Sequence, residues 1–313
     1  MTKQLALVFP GQGSQAVGMG KVFFEKSAAA RLLAKEANEV LHTNLTDLMF
    51  EGPVEQLSLT RNSQLAIFVT SAMMLAVIKE RTPEIFENVA CVAGHSIGEY
   101  AALLAAESLL FSNLLSLIKI RAKAMEEASP PNGAMCALLG IQIEQMIEII
   151  GNYTKDKYRC SIANDNCPEQ VVITGLLPDV EAVRDLAVKN GARKGIMLAV
   201  SGPFHSPWMV EAAEKIRQTL ETMSIQDAII PIIANCTAKH TQKAADIKEL
   251  LPKQITGVVR WRESVSEMQR LGVKEIMEVG NGNVLSGLIR RCLPDIVIHP
   301  LDIYTGAPKE CGF

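Results

Sequence analysis

The sequence predicts an α/β protein built on a parallel sheet with helices on both faces. Two apolar runs that each feed a glycine-rich turn, the helical stretches that follow them, and a βαββαβ segment in mid-chain carry that reading.

Gln4–Pro10 reads as a buried strand entering a turn at Gly11, and a helical pattern follows over Glu25–Val40. A second long helix, rich in Ala, Leu, Met and Ile, is expected from Asn62 to Lys79. Val89–Ala93 is another buried strand, and Gly94-His95-Ser96-Ile97-Gly98 leads from it into an Ala/Leu-rich helix. After a helix over Asn113–Glu127, the breaker run Ser129-Pro130-Pro131-Asn132-Gly133 opens a segment that Ser201-Gly202-Pro203 closes. Within it the pattern gives strand Ala134–Leu139, helix Ile143–Ile150, strand Tyr158–Ala163, strand Gln170–Thr174, helix Pro178–Asn190 and strand Gly195–Val200. That order is ferredoxin-like, and it predicts a small lobe over 129–200 inserted in a core made of 1–128 and 201–313.

Composition narrows the function classes. The 313 residues suit one large domain or two lobes, at roughly 100–200 residues per domain. With 48% hydrophobic and 21% charged residues the chain is globular, not disordered. Thirty-one Lys+Arg against 34 Asp+Glu leave a net charge of −3, without the basic excess of a general nucleic-acid binder. Aromatics at 5% offer little for base stacking. No apolar run approaches the length of a membrane helix, and the Leu5–Phe9 run ends at Pro10 without a signal-peptide pattern. The seven cysteines (Cys91, Cys136, Cys160, Cys167, Cys236, Cys292 and Cys311) are odd in number and include no C-x-x-C pair. They argue against a disulfide framework and a zinc site, so a cytoplasmic protein with reduced thiols and no metal is expected.

Gly94-x-Ser96-x-Gly98 matches the nucleophile elbow, and it stands between a predicted strand and a predicted helix, as that motif requires. Small flanking residues let the hydroxyl project, and the helix that follows aims its N–H groups at an oxyanion. A serine capping a helix would give the same pattern. A nucleophilic serine needs a base. Of the five histidines (His42, His95, His205, His240, His299), His95 adjoins Ser96 at a sharp turn and points away from it. His205 lies in a loop just after the inserted segment, where active-site loops gather, although any single histidine can equally be a surface or core residue.

Leu114, Ile118, Arg121 and Met125 share one helical face. An arginine on an apolar stripe must be paired, either with a core carboxylate or with a substrate carboxylate that its guanidinium can clamp. Gly11-x-Gly13-x-x-Ala16 loosely matches a dinucleotide fingerprint, but the strand and acid expected downstream are missing, so no dinucleotide is expected. Gln12 on that loop is a candidate oxyanion donor.

Several separated segments together resemble the malonyl-CoA:acyl carrier protein transacylases and the related acyltransferase domains of polyketide synthases. They are Phe9-Pro-Gly-Gln-Gly-Ser-Gln15, Gly94-His-Ser-Ile-Gly-Glu-Tyr100, Arg121, Gly202-Pro-Phe-His205, Gln254 with Val259-Arg-Trp261, and Glu278–Leu288. They span essentially the whole chain in the family's order. The resemblance implies an α/β-hydrolase-like core with the ferredoxin-like lobe, and malonyl transfer from malonyl-CoA to the phosphopantetheine thiol of acyl carrier protein by a ping-pong route. It implies Ser96 as the acylated nucleophile, His205 as its base, and a backbone carbonyl at Gln254 orienting that base. Gln12 and the Ile97 N–H would form the oxyanion hole, and Arg121 would hold the malonyl carboxylate. Phe204 before His205 is similar to malonyl-selective members. No cofactor is implied, since malonyl-CoA is a substrate. Asn281 and Asn283 depart from the family's Pro and Lys, and Val258 from its Pro. The alternatives are a serine hydrolase or thioesterase on the same dyad, and a non-catalytic module that docks carrier protein.

Overall fold

Every residue of β1 (Leu5–Phe9) is apolar and buried, the mark of a strand covered on both faces. In the computed structural model, which describes residues 3–300, it lies inside a six-stranded sheet. Its neighbours are β2 (Val89–Gly94) on one side and β10 (Glu275–Glu278) on the other, both parallel to it. Beyond them lie β11 (Val297–His299), parallel to β10, and β7 (Ile232–Ile233), parallel to β2. An antiparallel edge strand, β8 (His240–Thr241), pairs with β7.

Five α-helices and a short 3-10 helix (Pro83–Asn88) fill the connection from β1 to β2: α1 (Lys21–Lys26), α2 (Ala28–Leu41), α3 (Leu45–Glu51), α4 (Val54–Leu57) and α5 (Thr60–Arg81). The single helix expected over Glu25–Val40 is broken at Ser27, whose hydroxyl caps α2 by accepting from the Ala30 N–H. α5 corrects a second expectation. It has 22 residues and is long and apolar enough to span a bilayer, but 83% of its apolar window is buried within the fold. It is the central core helix, each large apolar side chain contributing about 1.5–3 kcal/mol by leaving water. After β2 come α6 (Gly98–Ala105) and α7 (Phe111–Glu127). α10 (Val210–Glu221), α11 (Ala244–Thr256), α12 (Trp261–Arg270) and α13 (Val284–Cys292) lie in the C-terminal third of the described chain.

The second sheet is built from β3 (Gly133–Leu139), β4 (Cys160–Cys167), β5 (Gln170–Leu176) and β6 (Lys194–Met197), with α8 (Ile143–Tyr153) and α9 (Leu177–Lys189). The order β6-β3-β5-β4, all antiparallel, is the ferredoxin-like arrangement. A short strand from the far end of the chain, β9 (Val259–Arg260), adds parallel to β4.

Two strands differ from expectation in ways that shape the cleft. β4 runs on to Cys167 rather than ending at Ala163, because its polar residues find partners: Asp165 accepts from Arg262 Nε at 2.9 Å, and Asn166 meets His95. β6 stops at Met197 instead of Val200, and Leu198–Val200 turn to line the cleft. Among the described residues, six cysteines are free thiols; Cys311 lies outside them.

Candidate active site

The Gly94–Gly98 turn folds so tightly that side chains cannot be added at its ends. A Cβ on Gly94 would sit 1.9 Å from the Gly98 carbonyl carbon, and one on Gly98 would sit 2.1 Å from the Phe9 oxygen. Between them Ser96 holds φ 51°, a left-handed conformation that a non-glycine residue adopts at a cost and that points its hydroxyl out of the turn. His205 is also left-handed, at φ 58°.

The two meet: Ser96 Oγ lies 2.8 Å from His205 Nε2. On the other side of the ring, Nδ1 lies 3.0 Å from the Gln254 carbonyl and 3.1 Å from the Gly257 carbonyl. Carbonyls only accept, so Nδ1 carries the proton and Nε2 presents its lone pair to the serine. Burial, followed by the positive charge of Arg121 and the neighbouring His95, lowers the His205 pKa to about 3, so the ring is neutral at physiological pH. His95 points elsewhere, with Nε2 2.9 Å from Asn166 Oδ1.

Arg121 is 1% exposed. Its Nη1 donates to Gln64 Oε1 at 2.5 Å, and its Nη2 donates to Ser96 Oγ and to Gln254 Oε1, both at 3.1 Å. The Tyr100 ring lies under the guanidinium, 5.3 Å from Cζ. Among the described residues no carboxylate forms a salt bridge with Arg121, and its Nε has no partner. Of the two sequence readings, the core-carboxylate pairing is therefore not what the fold contains.

The Ser96 N–H donates to Asn235 Oδ1 at 2.7 Å and is not free for an oxyanion. The Ile97 N–H stands at the N-terminal end of α6, where helix geometry leaves donors unpaired by the helix itself. Gln12 lines the same cleft, its Nε2 held loosely at 3.5 Å from Thr60 Oγ1. The cleft, about 390 Å³, lies between the two sheets, with Asn164 and Val172 of the second sheet lining it along with Ser96, Arg121 and His205. Asn281 ties the departing loop in place by donating to the Ser14 carbonyl at 2.6 Å.

Sequence reasoning missed Gln64, Asn235 and the carbonyl of Gly257. Gln64 carried a signal, an amide in the Ala/Leu/Met-rich stretch of α5. Asn235 sits in a loop after a two-residue strand and carried none.

A hydroxyl in contact with both a neutral base and a buried cation suits transfer of an acidic acyl group. The fold and site thus fit an α/β enzyme acting on acyl groups. The chain belongs to the acyl transferase domain family, whose model matches residues 6–286. It is 43% identical to the malonyl CoA-acyl carrier protein transacylase of Bacillus subtilis strain 168, over 92% of this chain and 90% of that one. The acyl-carrier-protein S-malonyltransferase structure from Bartonella henselae superposes with a TM-score of 0.91 at 39% identity, covering 94% of each chain. A malonyl-transacylase solved in complex with its type II polyketide acyl carrier protein gives 0.89 at 33% identity, again covering 94% of each.

Proposed function

We propose that the protein moves the malonyl group from malonyl-CoA to the phosphopantetheine thiol of acyl carrier protein through a malonyl–Ser96 ester, supplying fatty-acid synthesis in the cytoplasm. The observation that carries this reading is Ser96 Oγ between His205 Nε2 at 2.8 Å and Arg121 Nη2 at 3.1 Å. The names of the relatives, and the carrier protein bound to one of them, support both substrates.

Ser96 Oγ attacks the thioester carbon while His205 Nε2 takes its proton. The oxyanion is met by the Ile97 N–H and Gln12 Nε2, each such donor contributing about 3 kcal/mol. As the C–S bond breaks, His205 returns the proton to the CoA sulfur. The carrier thiol then attacks the ester, its proton going to His205 and from there back to Ser96 Oγ. Arg121 holds the malonyl carboxylate, and a neutral acetyl group would leave that buried charge unmatched. The two-lobed cleft limits water's access to the ester, which favours transfer over hydrolysis.

Intact-mass analysis after mixing with malonyl-CoA tests the reading. One malonyl group is expected on the wild type and none on Ser96→Ala, with loss of the adduct on adding holo carrier protein and persistence in buffer. A stable adduct on Ser96→Ala, or rapid loss of the wild-type adduct to water alone, contradicts it.

A further inference from the structure

Glu99 is the first acid after the elbow, in the first turn of α6, and is 3% exposed. Its Oε2 accepts from the Asn235 N–H and from Gln254 Nε2, each at 3.1 Å. Both donors hold the elbow. Asn235 accepts from the Ser96 N–H at 2.7 Å and donates to the Gly94 carbonyl at 2.6 Å. Gln254 Nε2 also donates to the Ser96 carbonyl at 2.7 Å.

Anchored in this way, Gln254 serves three groups at once. Its backbone oxygen faces His205 Nδ1, its Nε2 holds the Ser96 carbonyl, and its Oε1 accepts from Arg121 Nη2. A carboxylate on the Nε2 side allows one orientation of the amide, with the oxygen turned toward Arg121. The same carboxylate supplies a negative charge on the far side of Gln254 from a guanidinium that no carboxylate touches.

We infer that Glu99 is a positioning residue for acyl transfer and the buried counter-charge that Arg121 shares through Gln254 until a substrate carboxylate takes its place. The inference rests on the acyl-transfer reading above. It implies that a malonyl carboxylate arriving at Arg121 removes the reason for Glu99 to stay ionised, so Glu99 takes up one proton from water as malonyl binds. Selectivity for malonyl over acetyl then depends on pH. The groups that face Glu99 are Arg121 from α7, Tyr100 beside it on α6, Cys236 from the loop after β7, and His205 beyond Gln254. Burial pushes the Glu99 pKa up to about 7, against the bonds from Asn235 and Gln254 and the Arg121 charge, which pull it down. The proton exchange therefore falls in a range where the enzyme can be assayed.

The experiment measures kcat/KM for acylation of wild type and Glu99→Gln by malonyl-CoA and by acetyl-CoA, from about pH 6 to about pH 8.5. The ratio of the two donors is the readout, because any effect of pH on the shared acylation step slows both alike and cancels. In the wild type the malonyl/acetyl ratio is expected to fall by roughly threefold or more as pH rises, and in Glu99→Gln to stay flat near the low-pH value. A flat ratio in the wild type, or the same slope in both proteins, overturns the inference. Equal loss of both donors in the variant with a flat wild-type ratio would reduce Glu99 to a structural residue. A flat wild-type ratio overturns the inference even if the variant does not fold. A wild type that forms no malonyl adduct at all would sink the acyl-transfer reading instead.

Discussion

The Arg121 guanidinium rests 2.5 Å from the side-chain oxygen of Gln64, a neutral amide where a carboxylate would have quenched its charge. Gln64 thus fixes one edge of the guanidinium without cancelling what a substrate carboxylate needs. Gln64→Leu leaves a buried charged N–H without an acceptor, a cost of about 1–3 kcal/mol. We expect kcat/KM for malonyl-CoA to fall by about tenfold or more, with a smaller change for acetyl-CoA. Equal losses for the two donors would mean that Gln64 supports the fold and not the orientation of Arg121.

His205→Ala should slow acylation by about 10²–10⁴-fold, the usual value of a positioned base. In the wild type the pH profile carries further information. Folding favours the neutral ring, with the pKa lowered to about 3 from an ordinary value of 6.5, chiefly by burial. The base is therefore already neutral near pH 6.5, and the acid limb of kcat/KM for acetyl-CoA should lie below about pH 5. The sign for stability follows from the same shift. Between pH 6.5 and 3 the unfolded chain binds the proton that the native site refuses, so this contribution to stability fades as pH falls through that window. An acid limb centred near pH 6.5 would contradict the geometry that keeps Nε2 free.

Away from the cleft, the buried Glu267 carboxylate gathers two cations and an imidazole: Arg270 Nη2 at 2.7 Å, Lys239 Nζ at 3.6 Å and His240 Nδ1 at 2.8 Å. The bond from Arg270, then that from His240, hold its carboxyl well below the ordinary range. A depressed carboxyl stabilises above its unfolded pKa and loses that contribution as pH falls toward the folded one. Because the partners are largely exposed, Glu267→Gln should cost about 1–2 kcal/mol at pH 7, with the gap to wild type narrowing below about pH 4. Thermal melts at the two pH values measure this, and an equal gap at both would assign the loss to packing.

The strand–elbow–helix unit was legible because its signals are local: an apolar run, two glycines at fixed spacing and an apolar helix. Arg121 was legible because a charge on an apolar stripe breaks a pattern. The partners that position these residues were not, because Gln64 reaches Arg121 across 57 residues of chain, Asn235 reaches Ser96 across 139, and Glu99 reaches Gln254 across 155. Glu99 stands inside the recognised Gly94–Tyr100 segment, yet no spacing rule shows that it grips Gln254. The length of β4 was missed for a related reason. Asn164-Asp165-Asn166 reads as loop until Arg262 and His95 provide the partners that let polar residues stay in a strand.

The central claim is that a buried arginine, held by amides and kept clear of carboxylates, selects a malonyl group for the serine it touches. The most direct measurement is the ratio of kcat/KM for malonyl-CoA and acetyl-CoA in wild type and Arg121→Ala, together with the melting temperature. The account predicts that malonyl transfer falls by several kcal/mol and that acetyl-CoA becomes as good a donor as malonyl-CoA, or better. It also predicts a smaller loss of stability than breaking a direct ion pair would bring, since no carboxylate bonds to the guanidinium. An unchanged ratio with a large fall in melting temperature would contradict it, making Arg121 a structural residue.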